Sequence, residues 1–350
     1  MNVTKIGAMA LVGAGLVFAA QPAGAQQKSI TVSSWGGAFQ KAQREAWFNL
    51  VEKELGITVK EDTTSGIADI RTQVASGKPT WDLSTQGAYT CALLQKEGKL
   101  EKIDDAIIND PGVPAELKSS HWISQIVYST AIGWRTKAFG DKKPTGWAAF
   151  WDTKNFPGQR SMRKHPLYNL EAALIADGVP MDKLYPLDAD RAFKKLAQVK
   201  PHVLVWWSSG AQSAQVLQDG EVDMTQAWNG RIQAAMAEKE GKGGKLDITF
   251  DQQMLVSDCW LMPKGAPNKE LAMKALAIMM RPEVNARISL FINYAPSNLK
   301  GFDAAVIPPE KLPDLPNSPQ NKGKGFVMSV DWWVENSDEM VKRFDAFLQQ

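Results

Sequence analysis

The chain is poor in the residue types on which many hydrolytic and metal-dependent sites depend. Among its 350 residues there are three histidines and two cysteines. The histidines, His121, His165 and His202, have no metal-ligand spacing to one another, so no zinc site is predicted. No HExxH helix, GxSxG elbow or phosphate-binding loop occurs either. We therefore expect no catalytic centre, no metal and no cofactor; an exported enzyme of unrecognised type remains an alternative.

An excess of charge of one sign is also missing. The chain contains 40 lysines and arginines and 38 aspartates and glutamates, which gives a formal net charge of +2. Such a balance provides no basic stripe for nucleic acid or for an anionic membrane. No apolar run beyond residue 25 is long enough to span a bilayer. These absences favour a soluble monomer with no nucleic-acid partner.

The first 25 residues have the pattern of an export signal. Lys5 precedes an apolar run from Ile6 to Ala20, and Ala23-Gly24-Ala25 provides a cleavage site between small residues. The run of about fifteen residues is short of the roughly twenty that cross a membrane. No cysteine follows the cleavage site, so no lipid anchor is predicted. Cys91 and Cys259 could form one disulfide in an oxidising compartment, and two buried thiols are the alternative.

The length and the alternation of elements predict an α/β protein with two lobes. About 325 residues remain after residue 25, more than a single core usually supports. A first alternating series indicates a mainly parallel sheet wrapped by helices, and a second series indicates a second lobe. The first series comprises strands 30–35, 57–60 and 82–85 and helices 39–55, 67–75 and 88–96. The second comprises strands 127–134 and 222–228 and helices 147–151, 188–199 and 211–218. The remainder comprises an extended segment 259–262, helices 268–280, 282–292 and 332–347, and an irregular stretch 301–325.

Tryptophan is the residue that is abundant, with thirteen in the chain. Three groups stand beside glycines or polar residues at predicted strand ends: Trp35-Gly36-Gly37, Trp206 to Gly210, and Trp228 to Arg231. Open α/β sheets bind ligands at the carboxyl ends of their strands. Flat aromatic faces suit an alkyl-ammonium group, because they combine apolar contact with cation–π attraction. Tryptophans can also simply fill a core, and we prefer that interpretation for Trp47, Trp147, Trp151 and Trp332.

Several segments together resemble one known family along most of the chain. They are Ser34 to Gly37, Gly146 to Asp152, Ala176 to Gly178, Leu184 to Asp188, Trp206 to Gln212, Ala227 to Arg231 and Trp260 to Gly265. In order and spacing they resemble the periplasmic solute-binding proteins of the spermidine/putrescine type, and more closely the branch with γ-aminobutyrate-binding members. The resemblance implies a substrate-binding component of an ABC importer. Its partners would be a small amine-bearing solute and the permease of the inner membrane.

The resemblance also implies a type II periplasmic binding protein fold, with two doubly wound lobes joined by hinge crossover strands. Lobe 1 would comprise residues 26–134 and 257–300, and lobe 2 residues 137–256 and 303–350. Hinges would lie near 128–136, 254–260 and 295–302. Closure of the lobes would bury the solute and create the surface that the permease recognises.

By similarity, five positions match the amine site of the family, with Asp258 the strongest candidate for the ligand's ammonium group. The five positions are Trp35, Glu171, Trp207, Trp228 and Asp258. Neighbouring residues that could complete the site are Gly36, Gly37, Gly66, Gln86, Ser209, Gln212 and Tyr294.

Two positions bear on whether the ligand is an amino acid or a polyamine. Val256 stands where polyamine-binding members carry a second tryptophan, and Arg231 adds a guanidinium that would repel a polyamine but bind a carboxylate at two points. An ω-amino acid such as γ-aminobutyrate, with its carboxylate on Arg231 and its ammonium on Asp258, satisfies both charges. If Arg231 instead forms a structural salt bridge, putrescine or spermidine becomes the better prediction.

Overall fold

The computed structural model describes Met1, residues 28–238 and residues 241–350. Nearly all of the predicted signal peptide therefore lies outside the described residues. Within them, no helix is both long and apolar enough to cross a membrane.

The strands of the described residues join into one mixed sheet with eleven members, in the order β2-β1-β3-β9-β5-β8-β6-β7. Three short strands lie off this path: β4 and β10 pair with β5, and β11 pairs with β9. The strands are β1 Ser29–Ser34, β2 Thr58–Thr63, β3 Leu83–Gly87, β4 Lys118–Ser119, β5 Trp122–Arg135, β6 Arg160–Arg163, β7 Val203–Trp207, β8 Met224–Trp228, β9 Leu246–Leu261, β10 Ala295–Pro296 and β11 Gly325–Val327.

Helices cover the sheet between successive strands. They are α1 Gly37–Gln43, α2 Asn49–Leu55, α3 Ile67–Ala75, α4 Ala88–Lys96, α5 Asp105–Ile108, α6 Thr136–Phe139, α7 Gly146–Trp151, α8 Asn169–Ala176, α9 Ala189–Val199, α10 Gly210–Gln218, α11 Asn229–Ala237, α12 Lys269–Met279, α13 Pro282–Asn285 and α14 Val330–Gln349. A π-helical turn, Arg44–Phe48, joins α1 to α2. Gly56 ends α2 in the left-handed conformation, with φ of 62°, as its position in the sequence predicted.

The fold is two-lobed, because two long strands run from one hydrophobic core to the other. One core draws its buried residues from 30–128 and 260–294, and the second draws them from 132–347. Strands β5 and β9 pair antiparallel from Trp122↔Leu261 to Arg135↔Leu246, with two irregularities in register. The C-terminal end of β9 also pairs with β3, while the C-terminal half of β5 pairs with β8. The limits given above for the lobes and hinges stay predictions.

Two predicted segments differ from the structure. Residues 282–292 form only one α-helical turn, α13, followed by a 3-10 helix, Ala286–Leu290. The Asn285 side chain donates to the Gln125 carbonyl and accepts from the Asn298 amide, so tertiary hydrogen bonds hold this segment away from a regular helix. The extended segment 259–262 covers the C-terminal end of the much longer β9, Leu246–Leu261. The first part of β9 contains several polar residues, so the sequence did not predict it as a strand.

Cys91 and Cys259 form a disulfide, so the alternative of two free thiols is wrong. Their Cα atoms lie 6.8 Å apart, and the bond ties α4 to β9. Cys259 directly follows Asp258, the predicted ammonium partner. The cross-link therefore anchors the strand that carries this carboxylate.

Candidate ligand-binding site

Asp258 lies near the middle of the sheet, on β9, with 6% of its surface exposed. It pairs with Gly87 of β3 and Ile126 of β5. It is therefore a buried strand residue and not an exposed turn residue. Gly87 lies directly beside this carboxylate, because a Cβ built on it would come 4.0 Å from Oδ1 of Asp258, an ordinary contact distance.

Two aromatic side chains donate hydrogen bonds to this carboxylate. Trp35 Nε1 donates to Oδ2 at 2.8 Å, and the Tyr128 hydroxyl donates to Oδ1 at 3.3 Å. Burial raises the pKa of Asp258 to about 6, while these hydrogen bonds and the charges of Arg163 and Arg231 act in the opposite direction. The carboxylate is thus oriented and ionised at neutral pH, and it lies within a largely apolar surrounding.

The Trp35 side chain reaches Asp258 from a turn that only glycine permits comfortably. Gly36 and Gly37 follow β1 with φ of 65° and 59°, in the left-handed region. The turn leads directly into α1, and Gln40 Oε1 accepts from the Gly36 amide at 3.0 Å. The glycines therefore act on the site by placing Trp35.

Aromatic rings from both lobes surround the carboxylate. Tyr128 meets Trp228 edge to face, with centroids 6.1 Å apart, and lies 5.5 Å from the ring of Tyr294. Phe39 packs on the other side of Tyr294 at 5.7 Å. Trp228 is partly buried and contacts both cores, whereas Trp207 is fully buried behind it at 5.4 Å. Trp207 thus supports the ring of Trp228.

Two guanidinium groups flank Trp228. Arg231 stands in the first turn of α11, and its Nε is buried without a hydrogen-bond partner. A Cβ built on Gly210 would come 2.5 Å from the Trp228 ring and 3.2 Å from this Nε, so Gly210 lies close to both groups. Arg163, the last residue of β6, places its guanidinium carbon 5.1 Å from the Tyr168 centroid and 5.7 Å from that of Trp228.

Five of the predicted site residues meet in this cluster, and Glu171 does not. Trp35, Trp228, Arg231, Asp258 and Tyr294 come together, and Arg231 forms no salt bridge among the described residues. Ser209 and Gln212 belong to the N-terminal turn of α10: Ser209 Oγ accepts from the Gln212 amide, and Gln212 Oε1 from the Ser208 amide. Gly66 precedes α3, and Gln86 donates to Thr64 on lobe 1.

Glu171 is buried in the second core, where both oxygens of its carboxylate accept hydrogen bonds. Oε1 accepts from Tyr185 and from Trp333 Nε1, each at 2.7 Å, and Oε2 accepts from the Tyr168 amide at 3.0 Å. Burial raises its pKa to about 7 against these hydrogen bonds. This carboxylate links α8 to α14 and leaves no oxygen directed at the cluster around Asp258.

The sequence did not predict that Arg163, Tyr128 and Tyr168 would lie in or beside this cluster. Arg163 lies at the carboxyl end of β6, directly opposite Trp207 of β7 in the parallel register. The rule that ligands bind at strand carboxyl ends would have identified it had β6 been recognised. Tyr168 has a positive φ of 78°, which is rare for a residue other than glycine, and no sequence pattern predicts it.

The cluster has the chemistry to hold a small solute with charges of both signs. An ionised carboxylate among electron-rich rings suits an ammonium group. Guanidinium groups without an anionic partner suit a carboxylate. No group of three potential metal ligands occurs in the part of the chain that the structure describes.

Comparisons with known proteins agree with this chemistry. A γ-aminobutyric acid-binding protein of Pseudomonas aeruginosa is 36% identical over 341 residues, covering 95% of this chain and 94% of its own length. The spermidine/putrescine-binding periplasmic protein of Escherichia coli is 26% identical over 258 residues, or 71% of this chain and 72% of its own. Polyamine-binding proteins are thus the more distant relatives.

Solved structures give the same fold. An ABC transporter substrate-binding protein from Bradyrhizobium japonicum matches with a TM-score of 0.87 and 44% identity, over 92% of this chain and 100% of its own. The Atu4243 GABA receptor matches with a TM-score of 0.82 and 32% identity, over 91% of this chain and 97% of its own. The model of the family described as bacterial extracellular solute-binding protein matches residues 46–317. The chain therefore belongs to this family of solute-binding proteins, and it is the non-enzymatic substrate-binding component of an ABC transporter.

Proposed function

We propose that the protein captures an ω-amino acid such as γ-aminobutyrate between its lobes. The ligand's ammonium binds Asp258 and contacts Trp35 and Trp228, and its carboxylate binds Arg231. The observation that carries the proposal is the presence, in one aromatic cluster, of a carboxylate and a guanidinium that forms no salt bridge among the described residues and whose Nε has no hydrogen-bond partner. The names of the Pseudomonas relative and of the Atu4243 receptor support the same ligand class.

The same cluster argues against putrescine or spermidine. A polyamine carries positive charge at both ends, so one end would meet Arg231 and Arg163 at low dielectric. Val256 also stands where the polyamine-binding members have a tryptophan. The charges of the site thus favour one ammonium and one carboxylate.

The setting that we propose for this binding is the periplasm. Residues 1–25 have the export pattern described above, and the family is one of extracellular proteins. As a monomer, the protein would deliver its ligand to the permease of an inner-membrane ABC importer. Closure of the lobes on the solute would form the surface that the permease recognises.

Ligands that lack one charged end test the proposal. Thermal shifts of the purified protein are compared for γ-aminobutyrate, butyrate and n-butylamine, because a ligand at a hundred times its Kd adds about 2.7 kcal/mol of stability. We expect a shift with γ-aminobutyrate and only small shifts with the two truncated compounds. The Arg231→Met variant should lose the shift, whereas Arg191→Met, on the surface of α9, should keep it. Equal shifts with γ-aminobutyrate and n-butylamine would refute the carboxylate contact.

A further inference from the structure

The cluster holds one guanidinium more than an ω-amino acid needs. Asp258 provides one negative charge, and Arg163 and Arg231 provide two positive charges around Trp228. A ligand with one ammonium and one carboxylate would leave one guanidinium without an anion. A buried or partly buried cation without a partner is costly, so this excess calls for an explanation.

Arg163 interacts with the charge of Asp258 only at longer range, and no residue that the structure describes forms a salt bridge with it. The neighbouring carboxylate of Glu171 is occupied by Tyr185, Trp333 and the Tyr168 amide. The guanidinium of Arg163 instead packs against the rings of Tyr168 and Trp228. These contacts hold it in place without using its hydrogen-bond donors.

One further donor beside Arg163 lacks an acceptor. Gln226 is fully buried on β8, two residues before Trp228; its Oε1 accepts from the Arg163 amide at 3.2 Å, and its Nε2 has no partner. The buried Nε of Arg231 is likewise unpaired. Buried polar groups are nearly always hydrogen-bonded in the functional state of a protein. The unpaired amide of Gln226 is a second observation, independent of the charges, that points to a ligand with acceptor oxygens.

We propose that Arg163 and Arg231 together form a site for two acidic groups, and that the preferred ligand is an amino acid with one ammonium and two carboxylates. The inference rests on the proposed function, because it keeps the ammonium on Asp258. It adds a second carboxylate at the far end of the ligand, beside Trp228. Arg163 then determines specificity for this second acid.

A matched pair of ligands separates the two proposals. 2-(2-Aminoethyl)malonate is γ-aminobutyrate with a second carboxylate on the carbon that bears the first. Calorimetric titration of the wild-type protein should give about a ten- to hundredfold lower Kd for the malonate, the usual range for a charge-assisted contact. L-Glutamate, whose added carboxylate lies on the ammonium-bearing carbon and would approach Asp258, should bind less tightly than γ-aminobutyrate.

The Arg163→Met variant tests the assignment of the second contact. Its ratio of the two Kd values should fall to about one, while the control Arg191→Met, also on lobe 2, should keep the wild-type ratio. If the wild type binds the malonate no tighter than γ-aminobutyrate, the second acid site is refuted and the proposed function stands. A ratio that is unchanged in Arg163→Met would refute the role of Arg163. If neither compound binds, both proposals are wrong. The comparison of the two ligands on the wild-type protein tests the second acid site even if Arg163→Met fails to fold.

Discussion

At the scale of single residues, the proposed recognition of an amine depends on Asp258. Its carboxylate is buried, but it accepts hydrogen bonds from Trp35 and Tyr128 and lies near two arginines. Without those contacts, burial would favour the neutral acid. With them the pKa is about 6, so the group carries its charge at neutral pH and loses it in mild acid.

This titration predicts a pH dependence of ligand binding. An ammonium group binds the ionised carboxylate, so below pH 6 each binding event must release a proton from Asp258. We expect the Kd for γ-aminobutyrate to rise about tenfold per pH unit below pH 6 and to be nearly constant between pH 7 and 8. Calorimetry at pH 5, 6, 7 and 8 measures this. A Kd that is constant down to pH 5 would contradict the role of Asp258.

Glu171 predicts a pH dependence of stability that is independent of ligand. Its pKa in the folded state is about 7, against a usual value of 4.5, so the folded state binds the proton more strongly than the unfolded state. Stability from this group is therefore full below pH 4.5 and declines as the pH rises through 7. Between pH 5 and 8, the free energy of unfolding should fall by about 3 kcal/mol more in the wild type than in Glu171→Gln. Urea denaturation at both pH values tests this, and parallel profiles would contradict it.

The residues of the site were only partly predictable from the sequence. Trp35, Trp228, Arg231, Asp258 and Tyr294 could be named, because turn glycines, strand ends and the family resemblance mark their positions. Glu171 matched the family equally well, yet its environment is set by Tyr185 and Trp333, which come from distant parts of the chain. Arg163 was missed because its position depends on the pairing of β6 with β7 and β8.

At the scale of elements, two helices approach the ligand cluster through glycines. Gly210 begins α10 against the ring of Trp228, and Gly230 stands in the first turn of α11 against Tyr294. A Cβ at these positions would come 2.5 Å from Trp228 Cζ3 and 2.4 Å from Tyr294 Cε1. The absence of side chains therefore lets each helix pack directly on a ring of the site.

The substitution Gly210→Ala tests this packing. The added methyl group would displace the ring of Trp228, which should raise the Kd for γ-aminobutyrate by about tenfold, since a displaced wall loses a contact of about 1 kcal/mol or more. Gly323→Ala is the matched control, because a Cβ at Gly323 meets no atom within 4 Å and should leave the Kd unchanged. Unchanged binding in Gly210→Ala would show that Trp228 does not depend on α10.

The sequence predicted most helices well and the long strands poorly. Helices α3 and α4 have the predicted bounds, 67–75 and 88–96, because their ends coincide with clear glycine boundaries. The first part of β9 alternates polar and apolar residues weakly, and its identity as a strand comes from pairing with β5, 110 or more residues earlier in the chain. Such long-range pairing overrides local preference.

At the scale of the whole molecule, the proposed site lies between the two hydrophobic cores. Asp258 and Tyr128 belong to the strands β5 and β9 that join the two cores, and Trp228 packs against both cores. Asn229 adds a link at the same place: it accepts from the Ser129 amide at 2.9 Å and donates to the Asn293 carbonyl at 2.7 Å. The proposed ligand site is thus built on the strands that connect the two cores.

The burial of the site requires movement for the ligand to enter. Asp258, Tyr128 and Tyr294 are exposed by 6%, 9% and 4% respectively, so the arrangement described is an enclosed one. Separation of the lobes would open the cluster, and a ligand that bridges Asp258 and Arg231 would stabilise the closed form. In this proposal the two charges on the ligand would serve both recognition and closure.

The most direct test of the account is a calorimetric comparison of γ-aminobutyrate and putrescine with the wild-type protein at pH 7.5. The two compounds have the same four-carbon chain and the same ammonium group, and they differ only in whether the other end is an anion or a cation. The account predicts that γ-aminobutyrate binds and that putrescine binds at least a hundredfold more weakly, because Arg163 and Arg231 face the second end. Tighter binding of putrescine would contradict it and would make the protein a polyamine receptor.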